Sequence, residues 1–369
     1  MSVAVRSAAA LLLAAVVAVL TAAPARAHGA GGADVSNYRS VVTGLARSTA
    51  EDGTPGPAAE PVAGLEWRVV ANDALLEVRN TTGQPLVVEG YEGEPYLRID
   101  GDGVFENRRS PAAYLNADRF GDVDVPAAAD PNAPPQWVRV GDGPSHAWHD
   151  HRIHWMAATL PPQVKVDPGS QHTLFAWAVP FRLGDQTLAV AGELHWVPGP
   201  PAWPWLLATG LLLLAPVAVA AVRGGSRRTL LRAAAGAVAA VAVGDVVRAV
   251  DDLVSVPASA AEIALEAARV ALFVAVAGFG AWRAARDDGT ALPALGVAAA
   301  ALLLGLGLSD IPVLTASQVT GVLPAAVVRL VAAANLAVVV PVAVAALLVL
   351  RADRRAPEPL ASEPSSVAS

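Results

Sequence analysis

The chain has 369 residues, 54% of them hydrophobic, a formal net charge of −7 at neutral pH and no cysteine. The acidic balance gives no footing for a nucleic-acid partner, and the absence of cysteine excludes disulfides, thiolate metal sites and a cysteine nucleophile. The apolar excess over a soluble domain lies in the first part of the chain and again after Trp203, and the stretch between reads as soluble protein.

The chain opens on a signal-peptide pattern. Arg6 supplies a short positive region, Ala8 to Leu20 an apolar one, and Ala25-Arg26-Ala27 the small residues that signal peptidase needs. Residues 1–27 are therefore read as a cleaved signal peptide, with an uncleaved anchor helix as the alternative. Cleavage after Ala27 makes His28 the new N-terminus.

Residues 28–200 alternate short apolar runs with turn-forming clusters. Strands are expected at Tyr38–Leu45, Leu65–Val70, Leu75–Arg79, Pro85–Val88, Tyr96–Ile99, Trp137–Val140, Thr173–Phe181 and Thr187–His195. Asn80-Thr81-Thr82-Gly83, Asp100-Gly101-Asp102-Gly103 and Asp167-Pro168-Gly169 separate them with turn chemistry. Asp100, Asp102 and Glu106 could also be read as a calcium loop, but the segment is too short for an EF-hand and has hairpin composition. The pattern predicts an all-β extracytoplasmic domain, an Ig-like sandwich or an open barrel. Asn107 to Pro135 has little strand pattern and is expected as an ordered surface loop.

Five apolar stretches follow, near 204–222, 229–250, 261–282, 291–309 and 323–350. Each approaches the roughly 20 residues that a bilayer core requires, so residues 201–355 are expected as an all-α bundle of five transmembrane helices in a lipid bilayer. Trp203 and Trp205 fit an interfacial aromatic belt. Arginines follow the first, third and fifth stretches, whereas Asp251, Asp252 and Asp310 follow the second and fourth. That alternation places the β domain outside and the C-terminus in the cytoplasm. The Pro/Ser/Glu-rich tail, 356–369, is expected to be disordered.

Two groups of residues carry candidate chemistry. The first is Ser145 to Met156, where four of the seven histidines, His146, His149, His151 and His154, fall within nine residues. Imidazole is the commonest metal-ligand type and suits copper or zinc. On a strand, His149 and His151 share a face and His154 takes the other, so a turn or bulge is needed to bring them together. Met156 is the one methionine besides Met1, and a thioether beside imidazoles favours copper. The expected ligands are His149, His151 and His154 first, then His28, His146 and Met156, with copper the expected ion and zinc the alternative. A structural hydrogen-bond cluster and a pH sensor remain open for the same residues.

The second group is ionisable and lies within the apolar stretches, where charge is costly and functional by default. It comprises Asp245 and Arg248, Glu262, Glu266 and Arg269, Asp310, and Arg329 with Asn335 beyond it. Asp245/Arg248 and Glu266/Arg269 are spaced i,i+3, so each pair could neutralise itself on one helix face. They read either as glue between helix ends or as a polar vestibule taking a proton or cation. The stretches hold no His, Cys or Met, which argues against a soft-metal channel and a haem-binding b-type cytochrome.

A terminal His28 offers its α-amine and Nδ1 to one ion. In this it resembles the first residue of the histidine-brace, copper-resistance-type periplasmic copper-binding proteins, and the resemblance implies a β-sandwich that binds copper. Gly29-Ala30-Gly31-Gly32 departs from the usual start of those proteins, and no Met-rich stretch is present. The string Trp148 to Met156, Trp-His-Asp-His-Arg-x-His-Trp-Met, resembles that of a group of uncharacterised actinobacterial membrane proteins and implies the same architecture.

Together these readings predict a membrane-anchored, extracytoplasmic metal-binding protein in metal homeostasis. One rival is a structural or interaction protein with a partner at the envelope. Another is a transporter subunit using Asp245, Glu266 and Asp310. No nucleophile–base spacing and no phosphate-binding glycine loop point to an enzyme.

Overall fold

The structure is a computed structural model that describes residues 35–70, 75–118, 120–255, 260–287, 289–319 and 321–355. The expected signal peptide, His28 and the tail from Ala356 lie outside the described residues. The chain forms two compact units. One comprises Asp34–Pro200 with Thr315–Thr320, and the other contains Pro201–Leu314 and the chain from Gly321.

The first unit is built on antiparallel strands: β1 (Val35–Ser36), β2 (Tyr38–Ala46), β3 (Ala58–Ala59), β4 (Leu65–Val70), β5 (Leu75–Asn80), β6 (Leu86–Glu89), β7 (Pro95–Asp100), β8 (Gly103–Asn107), β9 (Trp137–Gly141), β10 (Ser145–Trp148), β11 (His172–Leu183), β12 (Gln186–Trp196) and β13 (Gln318–Val319). Eight form one sheet in the order β3-β2-β12-β11-β6-β7-β8-β9, three form a second in the order β10-β5-β4, and β1 pairs with β13. The two larger sheets share one apolar core. Leu76 and Val78 of β5 meet Leu86, Leu97, Ile99, Val104, Val179 and Phe181 of the larger sheet, and the Trp67 ring of β4 lies 5.0 Å from that of Phe181 on β11. Period-2 alternation drives this: along β5, Leu76, Val78 and Asn80 are buried and Arg79 is exposed. Each such large side chain contributes about 1.5–3 kcal/mol on burial. Gly192 sits opposite Trp177 in the β11–β12 ladder, where a Cβ would run into the indole, so glycine lets the ring lie across the sheet.

The eight expected strands are all present to within a few residues, and the two-residue strands β1, β3 and β13 are additional, as are β8 and β10. β8 closes a hairpin on β7, with Asp100 opposite Gly103. The Asp100 carboxylate is occupied there, accepting from the Asp102 amide at 2.9 Å and pairing with Arg98 at 2.9 Å, which is turn chemistry and not an ion loop. The long connection after Asn107 is pinned at its base. The Asn107 Oδ1 accepts from the Gln136 amide at 2.8 Å, and the Arg108 amide donates to the Gln136 carbonyl at 2.9 Å.

The second unit is helical: α1 (Trp203–Val222), α2 (Arg227–Ser255), α3 (Ala260–Arg286), α4 (Ala291–Leu302), α5 (Ile311–Thr315), α6 (Ala325–Ala337) and α7 (Val339–Arg355). α4 runs on into a π-helical turn, Leu303–Gly307. Among the described residues, four lengths of helix are long and apolar enough to cross a membrane: Trp203–Val222, Arg227–Val254, Ile263–Arg286 and Ala325–Arg354, the last made of α6 and α7 together. Ala291–Gly307 is apolar but shorter, so five predicted spans become four full-length ones and one short helix. The core is alanine-rich, with Ala234, Ala277, Ala298 and Ala345 buried among Leu231, Phe273 and Leu302, and such small side chains let helix backbones approach closely. At the π turn, Gly305 leaves room for the Phe273 ring, and Gly307 lies close against Asn335.

Candidate functional site

Two clusters of polar side chains stand out, one in each unit. In the β unit, the histidine-rich string leaves β10 at Trp148 and turns immediately. Asp150 caps a 3-10 turn, His151–Ile153, by accepting from the Arg152 amide at 3.1 Å. Arg152 folds back onto the same carboxylate, with Nε donating to Oδ1 at 2.8 Å and Nη2 to Oδ2 at 2.7 Å. The Trp148 indole donates to Oδ2 at 3.0 Å, and both terminal nitrogens of Arg152 reach the Glu89 carbonyl at 3.1 Å. Asp150 is completely buried. Burial alone would raise its carboxyl pKa, but the Arg152 charge and these donors outweigh burial and hold it below the ordinary carboxylate value. Tyr91 closes the network. Its hydroxyl donates to Asn116 and accepts from the His151 amide at 2.9 Å, and its ring lies 5.0 Å from the Arg152 guanidinium.

The turn also does what an extended strand could not. It brings His149, His151 and His154 together, with ring centroids 5.3 Å apart for His149 and His151 and 4.2 Å for His149 and His154. Their orientation does not suit a three-imidazole metal site. A ligating imidazole holds the ion in its own ring plane, on the nitrogen lone pair. The His149 and His154 planes are nearly parallel, 15° apart, and stacked, so the two rings cannot hold one ion as they stand. The His151 Nε2 is engaged with the Asp118 carbonyl at 2.8 Å. Among the described residues no group of three or more His, Asp or Glu is placed to hold a metal ion. His146 lies apart from the three, on β10, stacked on Trp148 at 6.3 Å, and burial pushes its pKa down. Met156 follows the turn, partly buried.

The second cluster is in the helical unit. A small cavity of about 20 Å³ is lined by Asp245, Arg248 and Asp252 of α2, Glu266 and Arg269 of α3, and Asp310 beyond the π turn. Glu266 and Arg269 pair at 2.7 Å along one helix face, as their spacing predicts. The other expected pair, Asp245 with Arg248, does not form. Arg248 instead makes an ion pair with Asp310 and has Asp252 at 3.9 Å, while Asp245 Oδ1 accepts from Asn335 Nδ2 at 2.6 Å. Same-helix spacing could not anticipate partners 62 and 90 residues away. Arg269 also donates to the Gly305 carbonyl at 3.0 Å, within the π turn. There the altered backbone pairing makes carbonyls accessible to side chains, and such turns recur at functional sites.

Arg329 stands outside the cavity, with Nε donating to the Val313 carbonyl at 3.3 Å and the guanidinium 5.8 Å from the Trp205 ring. The sequence alone does not single out Asp252, because the second apolar stretch ends near residue 250 and leaves Asp251 and Asp252 beyond it. In fact α2 continues to Ser255. The 245, 248, 252 spacing, three then four, was the available signal for one helix stripe. Asp251 serves locally, accepting from the Val322 and Leu323 amides at 2.8 and 2.9 Å ahead of α6. No protein-family model, curated protein or solved structure matches the chain.

Proposed function

We propose that the helical unit is a membrane-embedded carrier of a small cation, with the β unit as its extracytoplasmic domain. One observation carries this reading: four carboxylates share a small cavity with only two guanidiniums, which leaves an excess of two negative charges among apolar helices. Fixed interhelical glue is best served by balanced pairs, since an uncompensated buried charge is strongly destabilising. An excess that a mobile cation can neutralise is what a carrier needs. In the same reading Ala291–Gly307 is a fifth, short crossing, the chain is exported by a cleaved signal peptide, the β unit is an Ig-like sandwich, and the C-terminus is cytoplasmic. The arginine pattern of the loops supports that orientation.

The test is the full-length protein in liposomes, with dyes for protons and for alkali cations. Wild type should move one of them. Asp245→Asn should stop the flux while the yield of folded protein is kept, and Glu266→Gln and Asp310→Asn should stop it too, with a loss of stability because each removes the carboxylate partner of a guanidinium. Movement no faster than in empty liposomes rejects the proposal.

A second reading is favoured by the convergence of the three imidazoles: copper held extracytoplasmically by His149 and His151, with His154 turned out of its stack and His28, His146 or Met156 as further ligands. Zinc is the alternative ion, and an envelope partner would receive it. Copper(II) paramagnetic resonance on the full chain decides. Nitrogen hyperfine structure lost in His149→Ala/His151→Ala supports the reading, and affinity no better than that of a short histidine peptide rejects it.

A further inference from the structure

Asp245 differs from every other acid at the cavity. Asp310 has Arg248, Glu266 has Arg269, and Asp252 has Arg248 at 3.9 Å. Asp245 has a neutral amide on Oδ1, and its Oδ2 is buried without a hydrogen-bond partner among the described residues. The residue is 5% exposed and lines the cavity. Oδ1 of Asp252 and Oδ1 of Asn335 are likewise buried without a partner. The cluster therefore presents three oxygens that accept nothing, beside room for about one water molecule.

These oxygens can be satisfied by a metal cation or by a proton, and their number separates the two. Hard metal cations want an oxygen cage, six ligands for Mg²⁺ and six to eight for Ca²⁺, whereas only two of the three oxygens, Asp245 Oδ2 and Asp252 Oδ1, belong to residues that line the cavity, and two guanidiniums stand beside them. A proton needs one oxygen. Bound at Oδ2 it neutralises Asp245, and the resulting hydroxyl donates to a water in the cavity or to a neighbouring acceptor. We infer that Asp245 is the proton-binding carboxylate of this cavity and that the cation handled by the helical unit is H⁺. The second clause rests on the carrier reading above. The first stands on the geometry of Asp245 alone.

The groups that face Asp245 are few. Its own helix brings Arg248 and Asp252, α3 brings Glu266 and Arg269, the segment after the π turn brings Asp310, and α6 brings Asn335, with Arg329 beyond the cavity. α1 and α4 carry no titratable side chain, and those of α7 are confined to its end, from Arg351. Both cavity guanidiniums are ion-paired with other carboxylates, Arg248 with Asp310 and Arg269 with Glu266, although the Arg248 Nε is itself without a hydrogen-bond partner among the described residues, so the one variable charge at Oδ2 is the proton, taken from hydronium and returned to water.

A hydrophobic carbodiimide tests this on the full-length protein in liposomes, because it reacts with protonated and not with ionised carboxyls, and peptide mass spectrometry locates the adduct. The adduct should form on Asp245, fall by about tenfold per pH unit above its midpoint, and be indifferent to replacing choline with sodium. Asp252→Asn should keep it, and Asp245→Glu should move it to the new carboxyl. An adduct absent at every pH, located on Glu266 or Asp252 instead, or suppressed by sodium at fixed pH overturns the inference. Sodium protection together with sodium flux would leave the carrier reading standing and replace the proton. A labelled Asp245 in a protein that moves no ion would keep the proton site and remove the carrier.

Discussion

The two units bury charge in opposite ways. In the β unit, Asp150 and Arg152 form a closed account: one acid, one base, and a donor or acceptor for each polar atom from Trp148, the turn amide and the Glu89 carbonyl. At the cavity of the helical unit, four acids share two bases, and three oxygens and the Arg248 Nε are left without hydrogen-bond partners among the described residues. Both arrangements cost desolvation. The first recovers it in a fixed local geometry, the reversal that ends β10. The second does not recover it within the folded chain, which points to something that comes and goes. Buried charge by itself is a weak functional signal, whereas the imbalance is a strong one.

Mutation can break that contrast from either side. The largest expected effect is on the open side. Asp245→Asn keeps volume and the Asn335 contact but removes one of the two excess charges and the free carboxylate oxygen, so ion flux in liposomes should disappear while the thermal unfolding midpoint of the helical unit rises or stays unchanged. A folded variant that still carries ions would refute the assignment. The closed side should behave in reverse. Arg152→Ala leaves Asp150 buried without its partner, at a cost of about 3–5 kcal/mol, read as a lower denaturant midpoint by tryptophan fluorescence. A loss below about 1 kcal/mol would show that the pair is not structural.

Acid sharpens the same comparison. Asp150 is held below its ordinary pKa when folded, so its contribution is fully present above the unfolded carboxylate value near 3.8 and is lost as pH falls through the lower folded value. The β unit should therefore keep this contribution through mildly acidic pH and lose it only in strong acid. Arg152→Ala should start to unfold at higher pH. Smaller still is the imidazole stack. His149→Ala removes a ring contact with His154, worth about 1 kcal/mol if it behaves like other aromatic pairs, and the drop should be the same with and without added copper. A drop seen only with copper would revive the metal reading.

The sequence announced most of the fold and less of the site, for a physical reason. Strands such as β5 and β12 read directly, because alternation is a local property, and α1, α2 and α3 read directly because length and apolarity are local too. β10 was hidden, since Ser145-His146-Ala147-Trp148 alternates weakly and becomes a strand by pairing with β5. The turn after it was legible only as a requirement. The histidines could not converge without one, but the capping role of Asp150 depends on Arg152 folding back upon it. In the helices, the ionisable residues were visible and their partners were not. Glu266–Arg269 is an intrahelical pair and was foreseen. Arg248–Asp310 and Asp245–Asn335 join helices whose packing no periodicity specifies.

His146 provides the finest distinction between a structural and a sensing role for the histidine string. Stacked on Trp148 and desolvated, it has its pKa pushed down. The sign follows from linkage: the neutral ring is favoured in the folded unit, so its contribution is complete above the unfolded value near 6.5 and declines as pH falls through the lower folded value. Wild type should thus lose a little stability on mild acidification, by a slope that His146→Gln removes, while Asp150 and Arg152 keep the unit folded throughout. An unfolding midpoint that is flat with pH in both proteins would place His146 outside any energetic role. A slope that persists in His146→Gln but vanishes in His149→Ala would move the acid response to the stacked rings, and with it the sensing role that the string's composition suggests.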